Sequence, residues 1–172
     1  MYFGHNKKDN SDSREARWDK EVSERGFDSS ELWSLGDTVV EASLFLIKEH
    51  GLSVSNDFKQ GLELFIRDNG TRIFSNDEEK IVNASLNDFG VLFDFDEIRE
   101  VLSKFISIRL AALLLIEADE SLDSKEQQKI FSEQYEKPIL VLNKILDKDS
   151  DLNKEELETL NQIGKFLPGW WF

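Results

Sequence analysis

The chain contains 172 residues and no cysteine, and its 35 acidic side chains outnumber the 21 basic ones to give a formal net charge of −14. A chain of this length is expected to form one domain around a single core, and the missing thiols exclude disulfides and thiolate metal sites. The negative charge argues against direct contact with nucleic acid or an anionic membrane, because like charges repel.

Apolar residues recur every three to four positions along almost the whole chain, which predicts an all-α fold. We expect a single-domain bundle of seven or eight helices over residues 14–167, preceded by a loose segment over 1–13 and followed by an aromatic tail over 168–172. Trp18 and Trp33 are expected to pack the first helix against the body of the bundle.

Capping residues delimit the first four helices. Ser75 followed by Glu78 is a capping-box pattern, and Gly51 suits the left-handed position that often follows a helix. The predicted bounds are 14–24, Ser29 or Ser30 to Gly51, Ser55 to Gly70, and 76–89.

The fifth helix, predicted over about 95–118, is the most apolar element of the chain. Its first half carries an amphipathic stripe made of Ile98, Val101, Leu102, Phe105 and Ile106. Its second half, Leu110 to Ile116, is apolar on every side, so we expect that half to form the buried centre of the bundle. Three further helices are predicted over 124–135, 138–146 and 154–166, the last with an apolar stripe of Leu157, Leu160, Ile163 and Leu167.

No signal for secretion or membrane insertion is visible in the sequence. The first residues lack the apolar run of a secretory signal, and the longest apolar stretch, Leu110 to Ile116, is too short to span a bilayer. We therefore expect a cytoplasmic protein.

Two acidic loops share the pattern Asp-x-x-Leu-(Asp/Asn)-x-x-Glu, one from Asp119 to Glu126 and one from Asp149 to Glu156. One interpretation is helix capping, in which an N-cap side chain and a glutamate three residues later satisfy the free backbone donors of a helix start. The proposed pairs are Asp123 with Glu126, and Asn153 with Glu156.

A second interpretation is a site for a divalent cation, Ca²⁺ or Mg²⁺. The alternating carboxylates Asp147, Asp149 and Asp151, completed by Glu156, are similar in spacing to the start of an EF-hand loop, although the glycine of its sharp turn is missing. In the first loop the corresponding ligands would be Asp119 and Glu126. No other cofactor is expected.

The segment from Leu110 to Glu126 resembles the helix-loop-helix signature of TerB-type domains, all-helical modules associated with tellurite-resistance and stress proteins. Ala118, Asp119, Leu122 and Glu126 match that signature, whereas Glu120 stands where the family has glycine. The resemblance implies a helical bundle whose acidic loops bind a cation or a partner through Asp119 and Glu126.

The residues of common catalytic sites are scarce. Histidine occurs only as His5 and His50, no cysteine is present, and no glycine-rich phosphate loop is found. We therefore expect a protein that is not an enzyme.

Two blocks of the sequence hold nearly all of the net charge. Residues 76–100 contain eight acidic and two basic side chains, and residues 115–158 contain thirteen acidic and six basic ones. This concentration favours a protein-binding module of the inhibitor or immunity type that occupies a basic surface of a partner, which could itself be a nucleic-acid-binding protein whose ligand the carboxylates imitate. A cation-binding regulatory domain and a structural or scaffold protein are the alternatives.

The residues predicted to bind the partner are Asp77, Glu78, Glu79, Asp119, Glu120, Asp123, Glu126, Asp147, Asp149, Asp151, Glu155 and Glu156, with Trp170, Trp171 and Phe172 of the aromatic tail. The tail is expected either to fold back and close the bundle or to serve as a docking peptide or a homodimer contact.

Overall fold

The computed structural model describes residues 12–67, 73–118, 124–147 and 151–171, and it describes only the backbone of residues 12–15 and 118. Throughout these ranges the chain is helical, and the only extended pairing described is an isolated bridge between Ser34 and Trp171. The predicted all-α, single-domain class is therefore confirmed.

The helices are short and follow one another closely. In chain order, the described α-helices are α1 Asp12–Arg25, α2 Leu35–Glu49, α3 Asn56–Phe65, α4 Asn76–Asn87, α5 Arg99–Ala118, α6 Lys125–Phe131, α7 Lys137–Leu146, α8 Lys154–Asn161 and α9 Ile163–Phe166. Three 3₁₀ segments, called first, second and third here, span Ser29–Leu32, Phe89–Asp94 and Leu167–Gly169, and one π-helical turn, Ser132–Glu136, joins α6 to α7.

Side-chain caps start several helices where the sequence predicts them. Ser55 caps α3, and Ser75 with Glu78 forms the full capping box of α4. The N-cap of α6, however, is Ser124, whose hydroxyl accepts a hydrogen bond from the backbone N–H of Gln127. The prediction of Asp123 as the N-cap was therefore wrong by one residue, because the extended backbone required at a cap falls at Ser124.

The burial of α5 differs in part from what its composition predicts. Leu102 and Ile106 in the first half and Leu110 and Leu113 in the second half are fully buried, whereas Leu115 in the second half is 71% exposed. Hydrogen bonds join α5 to the first and second 3₁₀ segments, at Arg109 and Arg99 respectively. The prediction that the second half is buried on every side was therefore wrong at Leu115 and Ile116, which lie on an exposed face of α5.

The last predicted helix is also divided. It is interrupted at Gln162, so that α8 and α9 are separate, and Leu157 of its predicted apolar stripe is 47% exposed. The interruption lets α9 lie directly on the end of α4, where a Cβ on Gly164 would come within 1.8 Å of the Leu86 carbonyl oxygen. Only glycine fits this approach.

The C-terminal tail closes the bundle. Trp170 is fully buried, its Nε1 donates to the carbonyl oxygen of Gln134, and its own carbonyl oxygen accepts from the N–H of Gly36. Trp170 therefore has no surface to offer a partner, and its prediction as a partner-binding residue is corrected. Trp171 is 59% exposed, and Phe172 lies outside the described residues.

Candidate partner-binding surface

The predicted acidic residues of α4 differ in their surroundings. Asp77 and Glu79 are exposed, whereas Glu78 accepts hydrogen bonds from the Ser75 backbone N–H and from both terminal nitrogens of Arg67. The hydrogen bonds with Arg67 and then with Ser75 lower the pKa of Glu78 to about 2. Glu78 is therefore already paired with groups of the protein itself, and only its exposed neighbours Asp77 and Glu79 present carboxylates to a partner.

The acidic residues at the start of α8 likewise differ in their surroundings, since one is paired within the protein and others are exposed. Asn153 and Glu156 form the predicted capping box, and Glu156 Oε1 also accepts from Lys144 Nζ at 2.7 Å. The backbone hydrogen bond at Asn153 and then the hydrogen bond from Lys144 lower the pKa of Glu156. Asp151 and Glu155 are exposed. The capping interpretation of the second loop is thus confirmed for this pair.

Other predicted acids are exposed or lie outside the described residues. Asp147 is the exposed C-cap of α7, and Glu126 is exposed in the first turn of α6. The predicted residues outside the described ranges are Asp119, Glu120, Asp123, Asp149 and Phe172.

The cation site stays a prediction. Asp119 and Asp149, two of its six ligands, lie outside the described residues, and within the described ranges no three acidic or histidine side chains are grouped to hold a metal ion. Glu156 Oε1 would have to exchange two hydrogen bonds, from Asn153 N–H and from Lys144, for a cation.

Three exposed acidic residues line a groove between the π-helical turn with the start of α7 on one side and α8 on the other, which we call the α8 groove. Glu133 comes from the π-helical turn, and Glu155 and Glu158 come from α8. The groove has a volume of about 240 Å³ and is also lined by Phe166 and by Lys137, whose Nζ lies 4.0 Å from Glu155 Oε1. Such a groove suits a cationic side chain, because three carboxylates outnumber one ammonium group.

A larger depression lies where the N-terminal end of α3 meets the C-terminal end of α4 and the second 3₁₀ segment. It consists of two adjoining cavities of about 550 and 330 Å³ that share Ser55, Phe58 and Asp88, and we call it the α3–α4 cleft. Asp57 and Asp94 complete an acidic rim. Neither residue is among those predicted from the sequence to bind a partner.

Comparison of the chain with protein-family models, curated proteins and solved structures finds no match. The TerB-type resemblance around Asp119 and Glu126 therefore stays a prediction. Within the described ranges, every helix is too short or too polar to cross a lipid bilayer.

A buried polar cluster is the main feature that the sequence reasoning missed. Glu31 and Arg109 form an ion pair at 3.2 Å, with side chains that are 0% and 3% exposed, and Asp28 completes a capping box with Glu31. The Asp-x-x-Glu spacing of Asp28 and Glu31 was a visible signal for this cap. Nothing in the sequence indicated that Arg109, on the apolar fifth helix, would pair with it.

Proposed function

We propose that the protein is an acidic protein-binding module that occupies a basic surface of a partner, in the manner of an inhibitor or immunity-type protein, without a cofactor and without turnover. The observation that supports this proposal is the α8 groove, which Glu133, Glu155 and Glu158 line together with Phe166. Only one of them, Glu155, has a described basic neighbour within ion-pair distance, Lys137 at 4.0 Å. Carboxylates without close counterions favour a cationic partner.

The charge of the whole chain adds a long-range attraction to this local one. A formal charge of −14 raises the rate at which basic proteins encounter the surface, and salt screens the attraction. Partners that bind nucleic acid are the natural candidates, since their basic grooves are built to accept rows of anionic groups. The proposal therefore extends to imitation of nucleic acid by the exposed carboxylates.

Affinity capture with matched charge variants tests the proposal. The groove variant carries Glu133→Gln, Glu155→Gln and Glu158→Gln, and the control variant carries Asp19→Asn, Glu49→Gln and Glu63→Gln at exposed positions on α1, α2 and α3. Both variants lose the same formal charge. We expect the native chain and the control to retain a basic partner from the native cell extract and the groove variant to release it at lower salt.

Association kinetics of the captured pair provide the second readout. We expect the association rate to fall steeply between low and moderate salt, because charge steering is screened over about 10 Å at 0.1 M salt. An association rate that ignores salt, or a control variant that loses the partner as readily as the groove variant, would show the proposal to be wrong.

A further inference from the structure

We propose that the α3–α4 cleft receives a large apolar side chain that is flanked by lysine or arginine in a segment of a partner protein. This inference rests on the proposed function, because it specifies what the basic partner must also carry. The apolar side chain would give specificity to a contact that charge alone leaves open to any basic partner.

The floor of the cleft is apolar and preformed. Phe58 and Ile81 line the larger cavity, and Val91 and Phe95 line the smaller one beside Phe58. Val91 is 41% exposed although it is a large apolar residue. Such a floor disfavours a purely ionic ligand, because its charged groups would lose their bound water without gaining a hydrogen-bond or ion-pair partner from the apolar floor.

Close contact between the two helices holds the cleft open at a fixed width. A Cβ on Gly61 of α3 would come within 1.9 Å of the Ser85 Oγ of α4, and that hydroxyl donates to the carbonyl oxygen of Asp57 at 3.3 Å. The backbones of α3 and α4 are therefore held in place beside the cleft. A ligand that binds there does not bear the entropy cost of ordering a flexible site.

The rim carries the opposite charge to the proposed ligand. Asp57, Asp88 and Asp94 are exposed around the floor, and Lys80 is the one basic residue described in its lining. No ion pair is described for any of the three carboxylates. An anionic ligand is repelled by this rim, so the apolar group must arrive on a cationic segment.

Helix stability does not account for the carboxylate of Asp88. Asp88 is the C-cap of α4, where the negative end of the helix dipole disfavours an acid, and it makes no side-chain capping bond to the second 3₁₀ segment that follows. The carboxylate of Asp88 is therefore available to a cationic ligand of the cleft.

The inference is tested with the full chain, labelled with ¹⁵N, and three acetylated, amidated peptides. The probe is Lys-Arg-Leu-Arg-Lys, and the controls are Lys-Arg-Gly-Arg-Lys and Glu-Glu-Leu-Glu-Glu. At low salt we expect the probe to shift the amide signals of residues 54–58 and 80–95. We expect the glycine peptide to bind these residues at least ten-fold more weakly, a difference of about 1.4 kcal/mol or more, because it has no leucine side chain to bury.

Two variants and a control locate the binding. Ala84→Trp places an indole on an exposed position of the cleft wall and should reduce the affinity for the probe about ten-fold or more. Asp88→Asn with Asp94→Asn should reduce it about five-fold, since exposed charge pairs contribute about 0.2–1 kcal/mol each. The control, Glu49→Gln with Glu63→Gln, removes equal charge outside the cleft and should change the affinity less than two-fold.

The outcomes separate this inference from the proposed function. Equal affinities for the leucine and glycine peptides, or an undiminished affinity in Ala84→Trp, overturn the apolar anchor but leave the acidic surface as a docking site. Binding of the acidic peptide, which carries the same leucine, overturns the requirement for cationic flanking residues. The proposed function fails independently if the α8 groove variant retains its captured partner.

Discussion

At the scale of single residues, the pair of Glu31 and Arg109 determines how the N-terminal part of the chain is attached. Glu31 lies in the first 3₁₀ segment and accepts from Arg109 Nε on α5, while the guanidinium lies over the rings of Phe27 and Phe105. Burial raises the pKa of the Glu31 carboxyl, against the lowering effect of Arg109. The pair thus fixes a short, irregular segment to the most buried part of the longest helix.

Replacement of Arg109 by methionine is expected to destabilise the fold by about 3–5 kcal/mol at neutral pH, because it leaves a buried carboxylate without its counterion. The loss should shrink in acid. Without Arg109 the pKa of Glu31 rises further, so the folded state takes up a proton more readily than the unfolded state, and stability relative to the parent recovers as pH falls through that raised pKa. Urea unfolding of both proteins at pH 5 and pH 8 measures the difference.

The double variant Glu31→Gln with Arg109→Met is the control for this measurement. It removes both charges and should recover part of the lost stability at pH 8, since replacing a buried ion pair with neutral groups is often tolerated. A single variant whose loss is the same at both pH values would contradict the assigned role of the Glu31 carboxylate.

At the scale of elements, helix capping accounts for two of the acidic residues predicted to bind a partner, Glu78 and Glu156. Glu78 closes the capping box of α4 and binds Arg67, which lies near the end of α3 and beyond its last helical residue. The same carboxylate therefore caps the start of α4 and binds the segment that follows α3. Its charge is paired with Arg67 within the protein, although the side chain is still 29% exposed.

Glu78→Gln is expected to remove one source of acid sensitivity. In the parent, the folded-state pKa of Glu78 is about 2, below its ordinary value of 4.5, so its stabilising contribution is present above pH 4.5 and is lost as pH falls towards 2. The variant should be less stable near pH 7 and should lose less stability than the parent between pH 4.5 and pH 2.5. Unfolding followed by tryptophan fluorescence across this range checks both statements, with Glu79→Gln, an exposed neighbour, as the control.

The sequence predicted elements well where the signal is local. Ser55 and the Ser75–Glu78 box depend only on residues within one turn, so their helix starts were located correctly. The burial of α5 depends instead on which distant elements cover it, and a run of apolar residues carries no such information. Leu115 is exposed for this reason.

The candidate site shows the same limit. Glu155 was named from its position in a charge block, but Glu133 and Glu158 were not, because their grouping requires the π-helical turn to lie against α8. The α3–α4 cleft was missed altogether, since Asp57 and Asp88 are far apart in sequence and each appears as an ordinary surface acid. Charge blocks in the sequence predict that a surface is negatively charged, but only the fold shows which carboxylates line the same groove.

At the scale of the whole molecule, the tail residues Gly169 and Trp170 close one side of the helical bundle. The carbonyl oxygen of Trp170 accepts from Gly36 at the start of α2, its indole N–H reaches Gln134, and the Tyr135 hydroxyl donates to the carbonyl oxygen of Gly169. Burial raises the pKa of Tyr135 to about 12, with a smaller contribution from Glu117. Trp170 of the tail thus connects α2 with the π-helical turn, whereas Trp171 is 59% exposed.

Trp170→Ala is expected to destabilise the protein by about 3–5 kcal/mol, because it removes a fully buried ring and leaves a cavity between α2 and the π-helical turn. Trp171→Ala, the matched control at the next position, should change stability by less than about 0.5 kcal/mol, since most of its ring faces solvent. Urea unfolding measured by far-UV circular dichroism compares the two. If Trp171→Ala also lowers the molar mass in solution, the exposed ring joins copies of the chain, and if Trp170→Ala is as harmless as Trp171→Ala, the tail does not close the bundle.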